Sequence, residues 1–274
     1  MVKKTITILG CGWLGLPLAN RLMVEGYTVR GSTTTVSKLP LLLQRGIDAY
    51  HLLLNPEPMD DLVPLLQADT IVVNIPPKAG KLGDDFHPQQ IRHLMEAIRQ
   101  STVKQVIYVS STSVYPEKSV VADENAVLSP EQSAVPALVR AEAFMQELDP
   151  ERAVTILRCG GLMGYDRRPG KYVARRTVDS GAVPVNYLHR DDAVGILLAL
   201  IKQQQAGVFN AVAPEHPNRE AVYRKNCADH GYELPVFVQP QEPVPYKVVS
   251  AARLTRVIDY HFQYPDPLTF NYGN

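Results

Sequence analysis

Short apolar runs alternate along the first half of this 274-residue chain with segments whose apolar positions recur every three to four residues. Thr5–Leu9 reads as a buried strand, and Leu14, Leu18, Ala19 and Leu22 behind it share one face of a helix that ends at Gly26. Tyr27–Gly31 predicts a second strand, Leu39–Gln44 a helix, Asp48–Leu54 a third strand and Leu62–Gln67 a helical piece. Thr70–Ile75 predicts a fourth strand, stopped by Pro76-Pro77. Pro88–Arg99 is an amphipathic helix with Ile91, Leu94, Met95 and Ile98 on one face. Gln105–Ser110 is the fifth strand, Ala137–Leu148 the next helix and Val154–Arg158 the sixth strand. This rhythm predicts an α/β fold, a doubly wound parallel sheet with helices on both faces.

Beyond it, Lys171–Ser180 and Asp191–Lys202 read as helices and Gly207–Val212 as a last strand, while the proline- and tyrosine-rich tail 214–274 holds one helix, Arg219–Gly231. The expected division is a Rossmann-type domain over 1–164, continued by 185–212, and a smaller C-terminal α/β lobe made of 165–184 and 213–274.

The first strand runs into Gly10-Cys11-Gly12-Trp13-Leu14-Gly15, a G-x-G-x-x-G turn that opens a helix. Gly10 makes the sharp turn, Gly12 lets a pyrophosphate approach the backbone and Gly15 lets helix and strand pack closely. Trp13 and Leu14 stand at the helix N-terminus, where free N–H groups and the dipole favour phosphate. Pro76, just after strand four, and Ser110, the last residue of strand five, stand at the sheet's carboxyl edge, the ligand side of such folds. A dinucleotide site over these residues is expected.

In NAD sites an acidic residue at the end of the second strand holds the ribose 2′-hydroxyl. Here that region is Arg30-Gly31-Ser32-Thr33-Thr34-Thr35, without a carboxylate. Ser32, Thr33 and Thr34, with Arg30 and Lys38 nearby, could hold a 2′-phosphate, so NADP is favoured over NAD. The same hydroxyls would also serve a polar loop that caps the next helix.

Charge narrows the partners. Lys+Arg and Asp+Glu balance at 28 each, which gives no general field for nucleic acid or an anionic membrane. Cys11, Cys159 and Cys227 form no C-x-x-C pair and fit a reducing compartment, and the apolar run behind Met1-Val2-Lys3-Lys4 is one strand long. A cytoplasmic protein with no membrane anchor is expected, and the scattered histidines show no metal-ligand spacing.

With strand five in hand, the chain resembles the extended and atypical short-chain dehydrogenase/reductases, the group of NAD(P)-dependent epimerases and dehydratases. Gly10–Gly15 resembles the family's glycine motif, Val109–Tyr115 its S-S-x-x-V-Y segment, Leu157-Arg158 with Gly160 and Gly164 its L-R segment, and Asn186–Ala193 its I-H-v-x-D segment. Gly207–Asn210 and Tyr264-Pro265-Asp266 resemble later stretches. The resemblance implies catalysis by a Ser or Thr after strand five, a Tyr, and a Lys four residues beyond it, which together move a proton while hydride moves to or from nicotinamide.

Ser111 takes the first position. None of the 13 tyrosines is followed four residues later by lysine. Aligning Arg140-x-Glu142 with the family helix puts Arg140 in the lysine's place and Pro136 in the tyrosine's, and Tyr115 becomes a substitute acid or a pocket wall. His189 and Asp192 look like a catalytic pair by composition, but in the family segment they hold a helix start, with Asp191 or Asp192 as the cap of Ala193–Lys202. Arg158, Arg167, Arg168, Lys171, Arg175 and Arg176 gather charge that could hold a diphosphate or carboxylate substrate, or could equally form a solvated face.

The expected function is an NADP- or NAD-binding oxidoreductase or epimerase/dehydratase acting on a hydroxyl- or carbonyl-bearing small molecule, with nucleotide sugars among the candidates and a homodimer allowed. The alternative is a catalytically silent NAD(P)-binding sensor or interaction module.

Overall fold

The computed structural model describes residues 3–77 and 82–273; Met1, Val2 and Asn274, at the two ends of the expected division, lie outside the described residues. Seven strands build the main sheet: β1 (Thr5–Leu9), β2 (Thr28–Thr33), β3 (Asp48–His51), β4 (Thr70–Val73), β5 (Gln105–Ser111), β6 (Ala153–Cys159) and β7 (Gly207–Ala211). Their order is β7-β6-β5-β4-β1-β2-β3, and every neighbouring pair is parallel. The helices that cross between them are α1 (Gly15–Val24), α2 (Leu39–Gln44), α3 (Phe86–Arg99), α4 (Pro136–Gln146) and α5 (Arg190–Gln203).

Strand periodicity sorts the core into two layers. Ile6, Ile8, Val72, Ile107 and Leu157 face α1 and α5, where Leu18, Leu22, Leu197 and Ile201 meet them. The alternate positions Ile71, Val73, Val106, Tyr108 and Ile156 face α3 and α4, against Ile91, Leu94, Ile98 and Met145. Both faces of β4 are therefore buried, which is why it reads as an unbroken apolar run. At the end of α1, Gly26 takes φ +89° and its N–H donates to the Met23 carbonyl, closing the helix as expected.

Past β6 the sequence reading needs correction. The helix expected over Lys171–Ser180 spans Pro169–Val173; Arg175 takes φ +63°, and Thr177–Val178 pairs in parallel with Val236–Phe237. Paired β-branched residues outweigh the helical periodicity there. The tail carries α6 (Arg219–His230), capped by Asn218 and ended by Gly231 in the left-handed region, and a helix unforeseen in sequence, α7 (Ala252–Ile258). It also sends Lys247–Val249 to pair with Val120–Ala122.

Asp192 pins this tail to α5: its carboxylate accepts from Tyr260 Oη (3.0 Å) and from the Gln263 (2.7 Å) and Tyr264 (3.0 Å) N–H groups. The α5 cap is His189, whose Nδ1 accepts from the Asp191 N–H at 3.2 Å while Nε2 reaches the Asn271 carbonyl at 2.7 Å. Among the described residues no helix is long and apolar enough to cross a membrane.

His87, buried at the start of α3, lies 2.7 Å from Tyr108 Oη through Nε2 and 3.3 Å from Gln90 Oε1 through Nδ1. Burial holds its pKa below the ordinary imidazole value, against the opposing Gln90 bond. The unfolded chain then binds a proton that the folded one refuses. Stability falls as pH drops below about 6.5, and His87→Gln is expected to reduce that acid-side slope in urea titrations at pH 7 and 5.5. An unchanged slope would place the acid sensitivity elsewhere.

Candidate functional site

The chain reverses its direction of winding between β1 and β4, and a crevice opens where their carboxyl ends part. The cleft, about 400 Å³, is lined by Gly10–Leu14, Ser32–Thr35, Lys38, Leu52–Leu54, Asn74–Pro77, Val109–Ser111, Leu138, Leu162 and Arg167, among others. Of the expected cofactor residues, Gly10, Gly12, Trp13, Leu14, Ser32, Thr33, Thr34, Lys38, Pro76 and Ser110 line it; Gly15 lies beneath.

Each motif glycine has its own constraint. Gly10 takes φ +102°, and a Cβ there would collide with the Asn74 carbonyl. A Cβ on Gly15 would collide with the Gly10 carbonyl. At Gly12 a Cβ would meet nothing within 4 Å, so the bare backbone faces the open cleft. The turn is held from both sides, with the Gly10 N–H donating to Ser32 Oγ at 3.1 Å and Asn74 Nδ2 donating to the Gly10 carbonyl at 3.0 Å. Backbone at the N-terminus of a ten-residue helix, with room for substituent atoms at Gly12, fits a pyrophosphate. Cys11 also lines the cleft, but burial pushes its thiol up to about 12 and keeps it protonated.

At the end of β2 the hydroxyls divide. Ser32 is buried and spends its Oγ on the glycine turn, and Thr33 Oγ1 accepts from the Thr35 N–H at 3.2 Å. Thr34, Thr35 and Lys38 are exposed at the rim of the cleft. Arg30 departs from expectation: it pairs with Asp48 at 3.2 Å and donates to the Pro64 and Gln67 carbonyls, away from the cleft. Next to the hydroxyls, Leu52–Leu54 after β3 give an apolar wall.

The expected catalytic trio does not assemble. Ser111 reaches the cleft, half-buried, with Oγ accepting from the Ser113 N–H at 3.1 Å. Tyr115 is fully buried outside the lining; its hydroxyl donates to Asn210 Oδ1 at 2.7 Å and accepts from Arg158 Nη1 at 3.0 Å. Buried and absent from the lining, it is neither a substrate-facing acid nor a pocket wall; the same burial raises its pKa. Arg140 turns to the outer side of α4 and bonds Asp85 at 2.8 Å. Two residues along a helix are about 200° apart, and the α4 residue that lines the cleft is Leu138. Four residues before Leu138 stands Ala134. Matching Arg140-x-Glu142 to the family helix therefore chose the wrong face.

Behind Ser110 lies a charged network that sequence did not disclose. Ser110 Oγ donates to Glu142 Oε1 at 2.6 Å, and the Arg158 guanidinium grips the same carboxylate, Nη2 to Oε2 at 2.6 Å, with both side chains under 5% exposed. Arg158 is thus structural. Arg168 donates to the Tyr165 and Gly273 carbonyls and Arg175 pairs with Glu233. Of the six basic residues expected after strand six, Arg167 is the one that lines the cleft. Its guanidinium lies 4.1 Å from the centre of the Trp13 ring. Asn74, Leu138 and Leu162 also escaped the sequence reading; an asparagine just ahead of Pro76-Pro77, at the carboxyl edge of strand four, was the available signal.

No protein-family model matches the chain. It is 33% identical over 269 residues to Protein YeeZ of Escherichia coli K12, across 97% of this chain and 98% of that protein. UDP-glucuronic acid 4-epimerase from Bacillus cereus, solved with NAD, has the same fold at TM-score 0.76 and 18% identity, over 98% of this chain and 97% of that one. The human epimerase family protein SDR39U1, solved with NADPH, matches at TM-score 0.74 and 16% identity over 96% of each chain.

Proposed function

The chain belongs to one family with Protein YeeZ and has the fold of NAD- and NADPH-bound epimerase-family structures; we propose that it is a member of the extended short-chain dehydrogenase/reductase-like epimerases and dehydratases, that its cleft binds a nicotinamide dinucleotide and that it serves as an oxidoreductase or epimerase. The substrate is a hydroxyl- or carbonyl-bearing small molecule, with nucleotide sugars the first class to screen. The observation that carries this reading is the open Gly12 backbone at the head of the switch-point cleft. Gly10–Leu14 hold the pyrophosphate, Thr34, Thr35 and Lys38 the adenosine end, and Pro76, Ser110 and Ser111 flank the nicotinamide end. Residues 165–184 and 213–273 form the substrate-side lobe.

NADP is the preferred cofactor, on the strength of the carboxylate-free rim and Lys38. Thr34, exposed at that rim, is a better probe than buried Ser32. Thr34→Asp should weaken NADPH binding roughly ten- to a hundredfold through like-charge repulsion while sparing NADH. Equal effects on both nucleotides in calorimetry would remove the 2′-phosphate assignment.

A bound nicotinamide supplies a hydride donor or acceptor at its ring C4. Ser111 offers a hydrogen bond to a substrate oxygen beside it. Were a carbonyl to take up hydride there, its oxygen would need a proton, and Ser111 Oγ would be the hydroxyl beside it able to pass one on from solvent. Leu138 and Ala134 in place of a lysine and tyrosine favour a second reading, a cofactor-binding sensor without turnover. Substrate screening with NADPH oxidation followed at 340 nm separates them: turnover that Ser111→Ala lowers supports the enzyme, and binding without turnover across carbonyl and nucleotide-sugar panels supports the sensor.

A further inference from the structure

We propose that Arg167 is the counter-charge for the phosphates of the bound dinucleotide, closing over the pyrophosphate from the side opposite Gly12. This rests on the dinucleotide reading above and adds to it a contact from a part of the chain remote from the glycine motif.

The segment after β6 turns sharply at Gly164-Tyr165-Asp166-Arg167. Gly164 and Arg167 exchange backbone hydrogen bonds of 3.1 and 3.0 Å, with Gly164 at φ +123° and Tyr165 at φ +55°. A tyrosine in the left-handed region is costly. It is held there by its hydroxyl on Asp191 at 2.9 Å and by Arg190, whose guanidinium lies 3.5 Å from its ring centre.

The turn delivers two side chains to the glycine motif. Trp13 Nε1 donates to Asp166 Oδ1 at 2.6 Å, and Arg167 covers the indole face. The indole is thus fixed at its edge and on its face, next to the backbone N–H groups that await phosphate.

Among the described residues the side-chain contact of Arg167 is its stacking on Trp13, with no ion pair within 4.0 Å and no side-chain hydrogen bond, and it lines the cleft. Its donors are free for an anion. Stacking on Trp13 pre-orients the planar fork, so little ordering remains on binding. Arg190 lies 5.2 Å from the same ring centre, but its Nε stands 3.9 Å from Asp191 Oδ1, so its charge is already partly countered and Arg167 is the cation that faces the cleft. Asp166, the nearby carboxylate, accepts from Trp13 and is also held ionised by the neighbouring Arg167 and Arg190 charges, so an incoming phosphate competes with it for Arg167. An arginine fork, an indole and a helix N-terminus around one bare glycine suit a diphosphate better than a single hydroxyl.

The test compares wild type, Arg167→Met and Arg167→Lys by calorimetry with NADPH, ADP-ribose and adenosine 2′-monophosphate. Thermal midpoints verify that each variant is folded, and the Lys variant retains the charge if the Met variant fails to fold. The expected result is NADPH and ADP-ribose affinities roughly ten- to a hundredfold lower in Arg167→Met, an intermediate loss in Arg167→Lys, and unchanged binding of adenosine 2′-monophosphate, which has no pyrophosphate. If wild type binds NADPH and Arg167→Met matches it, the clamp is wrong and the dinucleotide reading stands. A loss confined to adenosine 2′-monophosphate and NADPH would move Arg167 to the 2′-phosphate and overturn the assignment. Failure of wild type to bind any of the three would remove the dinucleotide reading and the clamp with it.

Discussion

Gly12→Val should abolish NADPH binding, a loss of at least about a hundredfold in affinity, while the thermal midpoint moves by no more than about 2 °C. The two halves of this expectation come from one observation: nothing lies within 4 Å of a Cβ built on Gly12. A branched side chain therefore meets no protein atoms near its root and extends into the space assigned to the pyrophosphate. Gly15→Ala is the control with the opposite profile. Its methyl would collide with the Gly10 carbonyl and crowd Ile8, so stability falls before binding can be judged. Equal NADPH affinity in Gly12→Val and wild type, measured calorimetrically on folded protein, would remove the phosphate cradle from the account.

The second large effect lies beneath the site. Glu142→Ala should cost about 3–5 kcal/mol of folding stability, because it strands a buried guanidinium. Arg158 would keep the Tyr115 hydroxyl at 3.0 Å and two long carbonyl contacts, at 3.4 Å to Glu124 and 3.3 Å to Val127, none of which carries a negative charge. Ser110 would lose its 2.6 Å acceptor as well. Adding Arg158→Met to Glu142→Ala removes the stranded charge, so the double variant should be markedly more stable than the sum of the two single losses. Urea unfolding measures both; additive losses would show that the pair contributes no coupling.

What the sequence disclosed depended on how local each cause is. The β1–turn–α1 unit was legible because Gly10, Gly12 and Gly15 act on backbone within a few residues. The layered sheet was legible because β4 and β5 announce burial by period and composition. The catalytic trio failed because its placement depends on helix phase and long-range pairing. Arg140 and Leu138 differ by two residues in sequence and by opposite faces in space. Tyr115 is withdrawn by Asn210, and the Trp13–Asp166–Arg167 contact joins segments far apart in the chain, with no local pattern to mark either. Arg30 was read as a phosphate ligand from proximity in sequence, whereas Asp48 on the neighbouring strand claims it. In the tail, α7 carries only Leu254 and Ile258 as buried residues, too few to stand out against the surrounding prolines.

The most direct test of the central claim is a calorimetric titration of the wild-type protein with NADPH, NADP, NADH and NAD, with Trp13, the chain's one tryptophan, as an independent fluorescence reporter from inside the motif. The account predicts saturable binding at one site, tighter for the phosphorylated pair, with the Trp13 emission quenched in step. Absence of heat and of quenching with all four nucleotides would contradict it, and the cleft would then have to be explained by another ligand.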